Sequence, residues 1–280
     1  MSPLEITLVC LLVVVFPFAV SSGFVVTSRS VGRFLARSER PDPPTLDLLA
    51  QVARPSLPAR LLWTLAEGWF QIRAGLAQLT WLVGLLPKVH GPAGGPVVII
   101  LPGYLENGGK MSWLGRRLGD DGFRVHLLDF PSTTLPVHQN ASWLVDQLAC
   151  IRKEEGVESV HIVGHSMGGV VARRAALSDC DGVARVICIA SPHRGTHLAR
   201  LSFHASARDM RPALDGDDQR CRVPVDGVMS LADNIVQPPW SFATHEGEMM
   251  VLPEPVGHIA PLYMSSVHAF VRERLSVGDD

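Results

Sequence analysis

Residues Val160 to Ala176 constrain this chain more than any other stretch. An apolar run, Val160 to Val163, reads as a buried strand. Gly164-His165-Ser166-Met167-Gly168 then turns the chain, and Gly169 to Ala176 suits a helix. Strand, Gly-x-Ser-x-Gly, helix is a nucleophile elbow, in which the serine sits on a strained strand-to-helix turn with its hydroxyl held above the sheet. A side chain at either glycine would collide with neighbouring backbone. The helix behind Ser166 points its positive end at any oxyanion that develops beside the serine. The bare pattern meets a glycine-rich chain of this size by chance about one time in ten, but chance supplies neither the strand before it nor the helix after it.

The surrounding sequence builds a sheet for the elbow. Val97 to Leu101, Phe123 to Leu128, Val183 to Ala190, Val225 to Leu231 and Met249 to Leu252 are apolar runs of strand length. Helices are expected between them over Met111 to Asp120 and Ala141 to Glu155, with a closing helix over Tyr263 to Leu275. Continuous apolar strands alternating with helices predict an α/β chain with a mainly parallel, doubly wound sheet. A length of 280 residues accommodates one such domain and an appendage. A net charge of −2 without a dense lysine or arginine run argues against a nucleic-acid partner. The five cysteines show neither zinc spacing nor a disulfide framework, and Cys188 reads as a small core residue.

A serine hydroxyl needs a histidine to take its proton, and that histidine needs a carboxylate to hold its tautomer. In a fold of this kind they follow in the order serine, acid, histidine, on loops at the carboxyl ends of later strands. Of eleven histidines, His258 is the one that follows the last strand and precedes the closing helix. His165 lies inside the elbow, His193 and His197 come too early, His245 precedes the last strand and His268 lies within the final helix. Asp233 sits just past a strand; Asp226 begins that strand, at the wrong end of the sheet, and Asp129 precedes the serine. The oxyanion donors are expected to be the backbone N–H groups of Met167, after the nucleophile, and Tyr104, in the turn after the first strand.

These segments resemble the small bacterial lipases and esterases of the α/β-hydrolase fold, including the minimal lid-less triacylglycerol lipases. The resemblance covers about residues 96 to 276. It rests on VHIVGHSMGG at the elbow, IASPHRGT after the next strand, SLADNIVQP around the acid and GHIAPLYMSSVHAFVRERL around the histidine. It implies Ser166 as nucleophile, Asp233 as acid, His258 as base, and Tyr104 and Met167 as oxyanion donors. Where that group commonly has His-Gly at the oxyanion loop, this chain has Pro102-Gly103. Larger relatives bind calcium through aspartates beside the histidine loop; residues 253 to 270 contain none, so neither a metal nor a cofactor is expected. The implied activity is carboxylic ester hydrolysis through an acyl-enzyme. Acyl transfer or thioester hydrolysis would use the same triad, and a non-catalytic binding role would be signalled by a missing triad member.

The first ninety-five residues lie outside that resemblance. Leu4 to Val26 carries one charge, Glu5, and is long enough to cross a bilayer, with Arg29, Arg33, Arg37 and Arg40 behind it. The positive-inside rule then predicts an anchor in a bacterial inner membrane with the catalytic domain in the cytoplasm. A signal peptide cleaved near residue 22, or a second span over Arg60 to Leu86, would place the domain outside instead. Residues 41 to 59 read as a proline-punctuated linker with a short helix, Thr45 to Val52. Arg60 to Leu86 reads as an amphipathic helix with Arg60, Thr64, Glu67, Gln71 and Gln78 on a narrow polar stripe and three of the six tryptophans outside it. That helix lies in a membrane interface or packs on the enzyme body. The expected division is an anchor and basic flank over 1–40, a linker and helix over 41–95, and a catalytic domain over 96–280. The stretch from Ala190 to Val225 holds no obvious lid, which points to an accessible site for short or medium acyl chains, whereas an anchor points to lipid-derived substrates.

Overall fold

The computed structural model describes residues 16–50, 56–179, 181–212, 220–242, 244 and 246–277. Seven strands form one sheet: β1 (Val89–His90), β2 (Val97–Leu101), β3 (Arg124–Leu127), β4 (Val160–His165), β5 (Val183–Ile189), β6 (Val225–Ser230) and β7 (Met249–Leu252). Their spatial order is β1-β3-β2-β4-β5-β6-β7, antiparallel at β1 and parallel everywhere else. The edge pair at β1 was not expected. Two residues show no periodicity, and they precede the boundary drawn at residue 96.

Alternation along the central strands divides the core into two layers. On one face Ile99, Leu101 and Ile162 pack with Leu144 and Leu148 of α5 (Val137–Glu155) and Val171 of α6 (Met167–Ser178). On the other, Val98, Ile100 and Val163 pack with Met111 and Leu114 of α4 (Gly108–Asp120) and Val267 of α8 (Ser265–Leu275). All of these side chains are essentially inaccessible to water, as parallel strands covered on both faces require. The short α7 (Ala205–Asp209) lies in the β5–β6 connection.

Among the described residues, three helices precede the sheet: α1 (Phe16–Leu35), α2 (Pro43–Ala50) and α3 (Leu57–Leu82). No helix among the described residues is long and apolar enough to cross a membrane. The spanning helix expected over Leu4 to Val26 therefore finds no support there, and its residues 4–15 lie outside the described residues. Its remainder belongs to α1, which runs on past Arg29 and Arg33 and packs on α3, where a Cβ at Gly68 would come 2.4 Å from Ser22 Oγ. Val25 and Ser28 are buried.

Helix α3 also packs on the body, and it does so with its polar stripe. Glu67 is completely buried, Gln78 accepts at Oε1 from the Asn107 N–H (3.2 Å), and Thr64 Oγ1 accepts from Arg29 Nη1 (3.3 Å). Trp81 is buried and donates from Nε1 to Asp129 Oδ2 at 2.8 Å. The leucine-rich part of the apolar side of α3 faces outward, with Leu61, Leu65, Trp69, Leu76, Leu79 and Leu82 exposed. Periodicity defines two faces of a helix without saying which one is inside. Here hydrogen bonding to loop backbone decides it.

Candidate active site

Ser166 follows β4 directly and precedes the first residue of α6, with φ 53° and ψ −121°. A non-glycine residue in this region is strained, and the surrounding packing holds it there. A Cβ on Gly164 would stand 2.4 Å from the Gly169 nitrogen, and one on Gly168 would stand 2.5 Å from the Pro102 carbonyl oxygen. Both glycines are therefore required by close backbone approach. The Ser166 N–H donates to the Ile189 carbonyl at 2.8 Å, which ties the turn to β5.

Asp233 and His258 sit beyond the carboxyl ends of β6 and β7. His258 Nδ1–H donates to Asp233 Oδ2 at 2.9 Å, and both side chains are buried. The other oxygen of Asp233 accepts from the Ile235 and Val236 N–H groups at 2.7 and 2.9 Å, fixing the carboxylate in the turn. Burial works to lower the pKa of His258, but the charge of Asp233 and its hydrogen bond raise it above the ordinary histidine value. The rival carboxylates are engaged elsewhere. Asp226 pairs with Arg185 at 2.5 Å and Arg274 at 3.1 Å, and Asp129 accepts from Trp81 and from the Gly108 N–H at 2.7 Å. The half-buried His193 has its pKa pushed down to about 3 by desolvation, and His268 pairs with Asp121 at 2.6 Å. His245 lies outside the described residues.

Ser166 and His258 line one cavity of about 600 Å³, with Tyr104 on its wall. The structure thus brings Ser166, His258, Asp233 and Tyr104 together, with Met167 as the residue after the serine. In the Pro102-Gly103-Tyr104 turn, the Gly103 N–H is used internally, donating to Glu106 Oε2 at 2.7 Å. The Tyr104 phenol meets Ser202 Oγ at 2.8 Å and His204 Nδ1, so its ring braces the far wall.

Two features of this site are not legible as motifs. Glu106, whose pKa burial would raise but Lys110 and His165 bring below the carboxylate range, pairs with Lys110 (2.7 Å) and stands 2.9 Å from His165 Nδ1. His165 Nε2 reaches the His258 carbonyl at 3.2 Å, so the elbow, oxyanion turn and histidine loop are joined by one chain of polar contacts. The second is the outer wall. Phe24 and Val31 of α1 line the cavity together with Leu198, Leu201 and Met210 from the β5–β6 connection. That connection, in which the sequence shows no obvious lid, contributes to the lining together with α1.

A parallel sheet with helices on both faces and an elbow serine after a central strand is the α/β-hydrolase fold. Residues 96–220 match the family described as alpha/beta hydrolase fold. A pimeloyl-[acyl-carrier protein] methyl ester esterase of Vibrio vulnificus is 32% identical over 106 residues, which are 38% of this chain and 41% of the relative. The match thus spans well under half the length of that relative. Among solved structures, lipase B of Aspergillus fumigatus aligns with a TM-score of 0.54 at 20% identity, over 68% of this chain and 56% of the other. A thermophilic esterase of Thermogutta terrifontis aligns with a TM-score of 0.52 at 20% identity, over 67% and 91%.

Proposed function

We propose that the protein hydrolyses carboxylic esters by a Ser166–His258–Asp233 triad. The observation that carries this reading is the convergence of a strained elbow serine and a buried His258–Asp233 pair on one cavity. With Nδ1–H engaged by Asp233, the imidazole is held in the tautomer whose Nε2 can accept a proton. Ser166 Oγ attacks the ester carbonyl as its proton passes to Nε2, and the N–H groups of Tyr104 and Met167 receive the oxyanion. Collapse breaks the bond to the alcohol, which leaves with the proton from His258. Water, deprotonated by the same imidazole, repeats the sequence and releases the acid and Ser166. The methyl ester esterase activity named for the Vibrio relative and the apolar walls at Phe24, Val31 and Leu198 support an uncharged ester with an apolar acyl chain.

The outward leucines of α3 and the exposed Leu105, Leu201 and Phe203 beside the cavity support a lipid surface as the place of work. We place that surface on the cytoplasmic side, where the exposed Arg37 and Arg40 behind α1 would meet anionic headgroups. A chain-length series of p-nitrophenyl esters on the full chain tests the activity. Ser166→Ala should lower turnover by several orders of magnitude with folding intact, and a fluorophosphonate should label the unaltered protein only. Labelling that persists in the variant refutes the assignment.

A further inference from the structure

Helix α3 carries a carboxylate that the reaction written above does not use. Glu67 is completely buried. Its Oε1 accepts from the Ile259 N–H at 2.7 Å and its Oε2 from the Ala260 N–H at 2.9 Å. The preceding N–H, that of His258, donates to Asn234 Oδ1 at 3.0 Å, and Asn234 Nδ2 donates to Ser28 Oγ of α1 at 2.9 Å. Three consecutive N–H groups of the histidine loop are therefore held by side chains, and the helices before the sheet contribute to both anchors. Gly257 makes room for this arrangement, since a Cβ there would stand 2.4 Å from Glu67 Cδ.

Burying a carboxylate is costly unless its oxygens are hydrogen-bonded, and here the bonds go to backbone next to the base. We infer that Glu67 is a positioning residue, which fixes the backbone at Ile259 and Ala260 and thereby aims the His258 imidazole at Ser166. This rests on the hydrolase reading above. Residues 257–259, between β7 and the short 3₁₀ turn Ala260–Tyr263, lie outside any regular element, so no helix or strand ladder holds them. A misplacement on the order of 1 Å costs about 100-fold in rate. The clamp works with an ionised carboxylate, because a proton on either oxygen would set a donor against an N–H. Burial pushes the Glu67 pKa up, opposed by its two backbone bonds and by His258 and reinforced by Asp233. Arg29 of α1 and Tyr263 also feel its charge.

The test uses the full chain with p-nitrophenyl butyrate. In Glu67→Gln, an amide N–H₂ replaces one accepting oxygen, and kcat should fall about 10- to 100-fold with KM within about two-fold and an unchanged circular dichroism spectrum. Fluorophosphonate labelling of Ser166 should slow by the same factor. Because the charge of Glu67 helps raise the His258 pKa, the His258 imidazole should titrate at lower pH by NMR. Glu67→Asp, charged but one methylene short, should restore the titration more fully than the rate. A folded Gln variant with unchanged kcat and unchanged titration overturns the inference. So does failure of both variants to fold, which would assign Glu67 to stability alone. Absence of Ser166-dependent turnover in the unaltered protein would overturn the hydrolase reading instead, and the NMR titration, which needs no substrate, would still score Glu67.

Discussion

On the proposed triad, two aspartates near β6 divide between catalysis and stability at the level of single residues. Asp233→Asn leaves the turn's shape but removes the charge facing His258, so kcat should fall by about 10⁴-fold with little change in melting temperature. Asp226→Asn breaks a buried pairing with Arg185 and Arg274, so it should cost about 3 kcal/mol of stability while the folded fraction turns over normally. The reverse pattern would move the acid to the other end of the strand. pH dependence follows from the same contact. His258 is a base only when unprotonated, and burial, which lowers its pKa, is outweighed by Asp233. In the unaltered protein kcat/KM should climb with pH through an apparent pKa above about 6.5, and in Asp233→Asn the climb should move to lower pH. These residues are readable in the sequence because each sits at a fixed place relative to a strand end. Glu67 is not, because its partners are backbone groups in a loop 192 and 193 positions away. The hint it gives is a charge inside an apolar helix.

At the scale of elements, the six parallel strands β2 to β7 are legible to within a residue or two as continuous apolar runs, and the two-residue edge strand β1 is not. Helix α3 shows where pattern alone fails. Its amphipathicity is visible, but the inward face combines Glu67 of the polar stripe with Ala74 and Trp81, so Trp81, which reads as part of an interface-seeking surface, is instead buried against Asp129. The exposed tryptophan is Trp69. A leucine moved from water into an apolar phase contributes roughly 1.5 kcal/mol or more, so several together suffice for surface binding. Leu61→Glu with Leu65→Glu should therefore weaken co-sedimentation with phosphatidylcholine–phosphatidylglycerol vesicles at least tenfold (about 1.4 kcal/mol or more). Equal co-sedimentation of the doubly substituted and unaltered proteins would remove the lipid surface from the proposal.

For the whole molecule, residues before 96 act as part of the site and of the core. They provide the wall at Phe24 and Val31, the Glu67 clamp, the edge strand β1 and the buried Ala74 and Trp81. A fragment starting at Pro96 should therefore lose ester turnover per fluorophosphonate-reactive serine, and it should expose apolar surface to the dye ANS. A fragment with full turnover would return α1 and α3 to the status of an appendage. The bond from Asn234 to Ser28 spans 206 positions of the chain, which has a consequence for the order of events in synthesis. At roughly 5–20 residues per second, α1 leaves the ribosome on the order of 10–40 s before its partner exists. The elbow and its serine are made within that interval, Asp233 only at its very end, and His258 after it. Under the proposed triad, a nascent chain carries the nucleophile without its base until the segment after β7 has been translated.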